Sequence, residues 1–193
     1  MTFSCEDLEQ LTELVAAGWR SAADRDWSAS AGTLDWSCTK TADHAVDTVL
    51  APAFFLASRN QETPGGVGWE LFTMGPDAQP EHLAAGLETA TRVLTAVVLA
   101  AGPDVRAAIW RRPRVETRGP ADFVPRGALE LILHAHDVAT GLGIRFEPTT
   151  ELCDRLREHT QSWPHWSSPG WSPLTMTGDA WPDLLQGSGR NPS

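Results

Sequence analysis

The stretch ELILHAHDVATGLG, residues 130–143, sets Glu130, His134, His136 and Asp137 into an otherwise apolar run. At about 100° per residue, Arg126, Glu130, His134, Asp137 and Gly141 fall within an arc of roughly 80° on one side of a helix. Leu129, Leu131, Ile132, Leu133, Ala135, Val138 and Ala139 take up nearly all the rest of its surface. Charges spaced four apart ordinarily mark a solvated face, and such a face is broad. Here the polar strip is narrow and apolar on both flanks, the pattern of a helix whose charges point into a bundle interior or a cleft. This helix is predicted to start between Asp122 and Pro125 and to stop at Gly141 or Gly143.

Working outward, the chain offers three more long helices. Leu8, Leu11, Val15 and Trp19 recur at helical spacing and predict a first helix from about Cys5 to Asp24. Ser37 or Thr39 caps a second that runs to about Ser58, with Pro52 a point of kinking and His44 in its early turns. Pro80 suits the first turn of a third, Glu81 to Ala101, ended by Gly102 and Pro103. Gly65, Gly66 and Gly68 interrupt the chain between the second and third, and WELFTM after them reads as a short extended piece. Asp104 to Gly119, rich in arginine and proline, reads as a connection with room for one short strand. A short helix over residues 150–159 and a Trp/Pro/Ser/Gly-rich tail follow. The expected fold is all-α: a four-helix bundle over residues 1–145, with irregular connections, and a C-terminal helix and tail over 146–193 packed on the same domain.

Composition narrows the function classes. The formal net charge is -10, and the arginines form no stripe that would track a phosphate backbone, so no nucleic-acid partner is expected. The opening MTFSCEDLEQ is polar and acidic, unlike a signal peptide, and no run of about 18 apolar residues stands out; a cytoplasmic protein with no membrane role is expected. Cys5, Cys38 and Cys153 are odd in number and lack CxxC spacing, which argues against a disulfide framework and against a cysteine-built zinc site. Lys40 is the only lysine among the 15 basic residues, a bias typical of high-GC bacterial coding sequence.

Buried charges of the kind on the fourth helix need partners or a metal. Glu130 and His134, four apart on one face, can bind one divalent ion together, and carboxylate with imidazole is a ligand set of zinc and related metals. His44 is the natural third ligand, since its helix can pack beside the fourth; His82, His159 and His165 are less well placed. His136 lies on the far side of its helix and is expected to be packed or partly exposed. Three ligands leave a tetrahedral ion one open position, the mark of a catalytic site. Asp137 would then orient a ligand or act as general base, and Arg126 would serve as counter-charge or anion clamp. Of the nine tryptophans, Trp163, Trp166, Trp171 and Trp181 crowd the tail, and packing onto the bundle is favoured over an aromatic wall for a substrate pocket.

Four segments carry a resemblance: Asp26-Trp27, WSCTKTADH ending in His44, RGALELILHAHDVATGLG from Arg126, and LLQGSGRNP from Leu184. In this order and at these separations they resemble the DinB-like superfamily, specifically proteins with the metal-binding domain of mycothiol-dependent maleylpyruvate isomerase. The family's three metal positions carry over onto His44, Glu130 and His134. The resemblance implies a four-helix bundle holding Zn2+, or Ni2+ or another transition metal, with mycothiol or a comparable small thiol as cosubstrate. It implies an enzyme in which the metal-activated thiolate attacks a small electrophile, for S-transfer or for isomerisation. The isomerase carries an additional C-terminal domain where this chain ends soon after its bundle, so S-transfer is the leading expectation and maleylpyruvate-type isomerisation an alternative. A metal-water hydrolase, a non-catalytic metal- or small-molecule-binding bundle, and a metal-free buried polar network are the others. A homodimer is compatible with all of them.

Overall fold

The computed structural model describes residues 2–64 and 71–191. The chain is mostly helical: α1 (Cys5–Ser21), α2 (Cys38–Ser58), α3 (Pro80–Ala100), α4 (Phe123–Leu142), α5 (Thr150–Thr160) and α6 (Ala180–Gly187). Helix α2 packs against α3 and α4, and α1 against α3 and α4, so the four longest helices share one core. Each shows a local reason for its limits. Ser4 and Asp7 form a reciprocal cap at the start of α1, and the Ser37 side chain accepts from the Lys40 N–H at the start of α2. Pro80 occupies the first turn of α3, and Gly143, with φ +65, ends α4 in the left-handed region. Helix α1 stops at Ser21, three residues before the expected Asp24, with the Ser21 hydroxyl bonded back to the Gly18 carbonyl.

The core is built from Leu8, Leu11, Val15 and Trp19 of α1, Val46, Val49 and Leu56 of α2, Leu83, Leu87 and Leu94 of α3, and the leucines of α4. Fully burying a leucine stabilises by about 2 kcal/mol, so this face chemistry rather than helix propensity holds the elements together. Helix α3 is long and apolar enough to cross a membrane by length and composition alone, but its Leu83, Ala84, Leu87, Ala90 and Leu94 are buried in this core. The tail belongs to the same cluster through Leu152, Cys153, Leu156, Trp163, Trp166, Leu184 and Leu185.

The all-α expectation needs correction. Residues expected to hold at most one strand form an antiparallel hairpin, β1 (Ala107–Arg111) and β2 (Arg114–Arg118), with Ala107 opposite Arg118 and Arg111 opposite Arg114. Strand β1 is buried along Ala107, Ala108 and Ile109 and packs on α2, whereas β2 is largely exposed. Neither strand alternates cleanly in sequence, because one is covered and the other carries the solvent side. The buried Arg111 guanidinium anchors the hairpin: it pairs with Glu116 and Asp122 and lies over the Trp163 ring at 3.9 Å.

The extended piece expected at WELFTM falls partly outside the described residues. Its later part, Leu71 to Met74, is not a strand but a strap held to α2, with Asp47 accepting from the Leu71 and Phe72 N–H groups and Asp43 from the Met74 N–H. Gly65, Gly66 and Gly68 lie outside the described residues.

Candidate functional site

Helix α2 continues through Pro52, and one turn before that proline the facing helix α4 comes close to it. Pro52 offers no N–H to the Thr48 carbonyl. On the facing helix, Gly127 sits where a Cβ would lie 3.3 Å from the Val49 Cα and 3.6 Å from the Thr48 oxygen. The two backbones therefore approach closely, and two turns further along α4 the His134 ring meets that of His44, with Glu130 one turn before it on the same cavity wall.

Between α2, α4, the hairpin and the tail opens a cavity of about 710 Å3. His44, Arg126, Glu130, His134 and Arg190 are among its polar lining, with Asp35, Asp47, Thr48 and Arg112; Leu34, Trp36, Pro52, Phe55, Leu133, Trp110 and Trp171 are among its apolar walls. A volume of this order, mostly apolar with a few convergent polar groups, suits a small molecule. The His44 ring lies edge-on between Trp36 and His134, with ring centroids 5.1 Å from each. His134 Nε2 is 3.6 Å from Glu130 Oε2, and its Nδ1 is 3.3 Å from Asp137 Oδ2.

The strip is electrically alternating. Arg126 donates to Glu130 Oε1 at 2.7 Å and to the Trp110 carbonyl at 2.8 Å. Arg190 donates to both oxygens of Asp137, at 2.8 and 2.5 Å. Burial pushes the Glu130 carboxyl up, but Arg126 and His134 outweigh it and hold the group well below the ordinary glutamate value. Burial pulls the His134 imidazole down, and the hydrogen bond with Asp137 together with the nearby Glu130 carboxylate more than reverses this, so it stands above the ordinary histidine value. Asp137 follows the pattern of Glu130, with His134 and Arg190 outweighing burial.

The structure thus brings His44, Glu130, His134 and Arg126 to one cavity, with Asp137 buried behind His134. The donor types fit a divalent ion, and the spacing of Glu130 Oε2 and His134 Nε2 is compatible with a shared one. As the side chains stand, however, no group of three or more His, Cys, Asp or Glu among the described residues is gathered closely enough to hold a metal. His136 is half-buried against Trp181, with ring centroids 5.6 Å apart, away from the cavity. His82 is exposed, and His159 approaches Asp122 at 3.4 Å beside Trp163.

Two residues of the cavity, Arg190 and Trp110, have no site role in the sequence reading, and His165, less well placed as a ligand there, lies outside the cavity lining. Arg190 lies 53 residues from Asp137, and no local spacing links them. Trp110 comes from a hairpin that was not expected. His165 is fully buried between Trp163 and Trp171 with neither ring nitrogen hydrogen-bonded; burial, with the Arg126 charge next, pushes it down to about 3. The tail tryptophans divide: Trp163 and Trp166 are buried in the core, while Trp171 lines the cavity. No protein-family model, curated protein or solved structure matches the chain.

Proposed function

We propose that the chain is a DinB-like four-helix bundle that binds a divalent ion, Zn2+ first among the candidates, on His44, Glu130 and His134, and uses it to activate a small thiol of the mycothiol type for transfer to an electrophile. The observation that carries this reading is the meeting of His44 from α2 with Glu130 and His134 from α4 on the wall of a ligand-sized cavity, with a carboxylate behind His134. When bound, a divalent ion supplies Lewis acidity that lowers the pKa of a thiol brought to it.

The chain's own groups have distinct parts in this. Glu130 stays anionic beside Arg126, which balances its charge and fixes its direction. Asp137 orients His134: its oxygens accept from Arg190 and face His134, and it lies buried behind that ring rather than on the cavity wall, which favours the orienting part over that of a general base. Trp36, Trp110 and Trp171 exclude water from the reacting groups. This reading calls for a thiol from outside, because none of Cys5, Cys38 and Cys153 lines the cavity and burial pushes all three thiols up, Cys38 to about 11 and Cys153 to about 12.

The second reading is a metal-free polar network around a small-molecule site. It is favoured by the Arg126–Glu130 pair, which already neutralises one proposed ligand, and by the incomplete convergence of the three donors. Elemental analysis of untagged protein after zinc supplementation separates the two: stoichiometric zinc supports the first, and its absence overturns every metal-based reading. Mass screening of mycothiol with electrophiles then tests S-transfer. Turnover without thiol would move the assignment to a hydrolase, and tight binding without turnover to a non-catalytic bundle.

A further inference from the structure

We propose that Arg190 is a positioning residue: by gripping Asp137 with two bonds it makes Nδ1 the hydrogen-bearing nitrogen of neutral His134 and leaves Nε2 as the lone-pair donor. This rests on the reading of His134 as a donor of the site and specifies how it is held.

The grip starts in the tail. Helix α6 ends in a turn through Gly189, with φ +77, and the Arg190 N–H bonds to the Leu185 carbonyl at 2.8 Å. A left-handed residue at this point reverses the chain and sends the next side chain back across the helix end. Helix α6 is itself anchored: Asp183, 1 % exposed, accepts from Arg157, from the hydroxyls of Thr175 and Thr177, and from the Thr177 N–H. Arg190 therefore arrives at α4 on a fixed support, and its planar fork matches a carboxylate.

The consequence for His134 follows from acceptor counting. An ionised carboxylate only accepts, so the nitrogen bonded to it must carry hydrogen. Two carboxylates compete for the ring. Asp137 Oδ2 lies 3.3 Å from Nδ1, within hydrogen-bond reach, whereas Glu130 Oε2 lies 3.6 Å from Nε2, outside it. Arg126 further ties Glu130 down through Oε1, and Arg190, with its fork on both Asp137 oxygens, holds that carboxylate turned toward the ring. Nδ1 takes the hydrogen, and the Nε2 lone pair is left on the side of Glu130 and the cavity.

The test uses the full chain, stripped of metal with a chelator and held above the imidazole titration, with nitrogen-15 NMR reporting which ring nitrogen of His134 bears hydrogen. The wild type is expected to show the Nδ1–H form. Arg190→Gln and Asp137→Asn are expected to shift His134 toward the Nε2–H form that free histidine prefers, and to weaken zinc binding about 10–100-fold, the usual effect of losing a group that orients a ligand. Thermal unfolding checks that each variant is folded; if Arg190→Gln is not, Asp137→Asn carries the comparison. Nε2–H in the wild type, or an unchanged tautomer in a folded variant, overturns the proposal. An Nδ1–H wild type that shifts in the variants but takes up no zinc upholds it and refutes the metal reading instead.

Discussion

His134 and His136 stand two positions apart on one helix and meet opposite surroundings. The first faces Glu130, His44 and the cavity; the second packs on Trp181, and burial holds it below the ordinary histidine value. Under the metal reading, His134→Ala should abolish zinc uptake while His136→Ala leaves the zinc stoichiometry of wild type, as read by elemental analysis. Equal losses in both would remove His134 from its assigned place. This separation was legible from the helical period alone, since two positions turn a helix by about 200°. The juxtaposition of His44 with His134 was legible only as a possibility of packing. Arg190 was not legible, because a contact across 53 residues depends on how α6 folds back and leaves no periodic trace.

At the level of elements, helices with one apolar stripe were visible in the sequence, and the hairpin was not. Strand β1 is buried on α2 and β2 faces solvent, so neither shows the alternation by which a half-buried strand is recognised. Close helix contacts were also invisible, because a glycine in a helical pattern does not reveal what lies against it. Two helical glycines now separate by this criterion. Gly141 in α4 faces the Ser30 carbonyl, and a Cβ there would lie 2.6 Å from Cys38 Sγ and 3.0 Å from the Ala31 Cα. Gly18 in α1 has nothing within 4 Å of the same construction. Alanine favours a helix over glycine by up to about 1 kcal/mol, and overpacking against backbone costs about 1–3 kcal/mol. Gly18→Ala should therefore stabilise by about 0.5–1 kcal/mol. Gly141→Ala should destabilise despite its better propensity. Denaturant titration gives both signs, and a stabilised Gly141→Ala would contradict the close approach of α4 to the loop before α2.

For the whole molecule, the buried charges set how stability depends on pH, best followed on chelator-treated protein. His165 is held neutral down to about 3, while the unfolded chain protonates near 6.5, so only the unfolded state takes up a proton between these values. Each pH unit below about 6.5 then costs about 1.4 kcal/mol, or roughly 2 kcal/mol by pH 5. His134 acts in the other direction and in a different window. Its folded value is raised, so its contribution is complete below about 6.5 and is lost as pH rises through the folded value. Below about pH 4 the depressed carboxylates, Asp122, Glu130, Asp137 and Asp183, add to the acid loss, since their stabilisation is present above the unfolded values and disappears as pH falls through the folded ones. The melting temperature should peak near pH 6.5 and fall on both sides, more steeply in acid. His165→Phe keeps a flat ring among Trp163 and Trp171 and removes the two unbonded nitrogens. It should make the limb between about pH 4 and 6.5 shallower, leaving the share due to His136, and leave the steeper fall below it in place, because the carboxylates remain. Melting curves of wild type and variant at matched pH decide the matter: parallel acid limbs would mean that His165 takes up its proton in the folded protein.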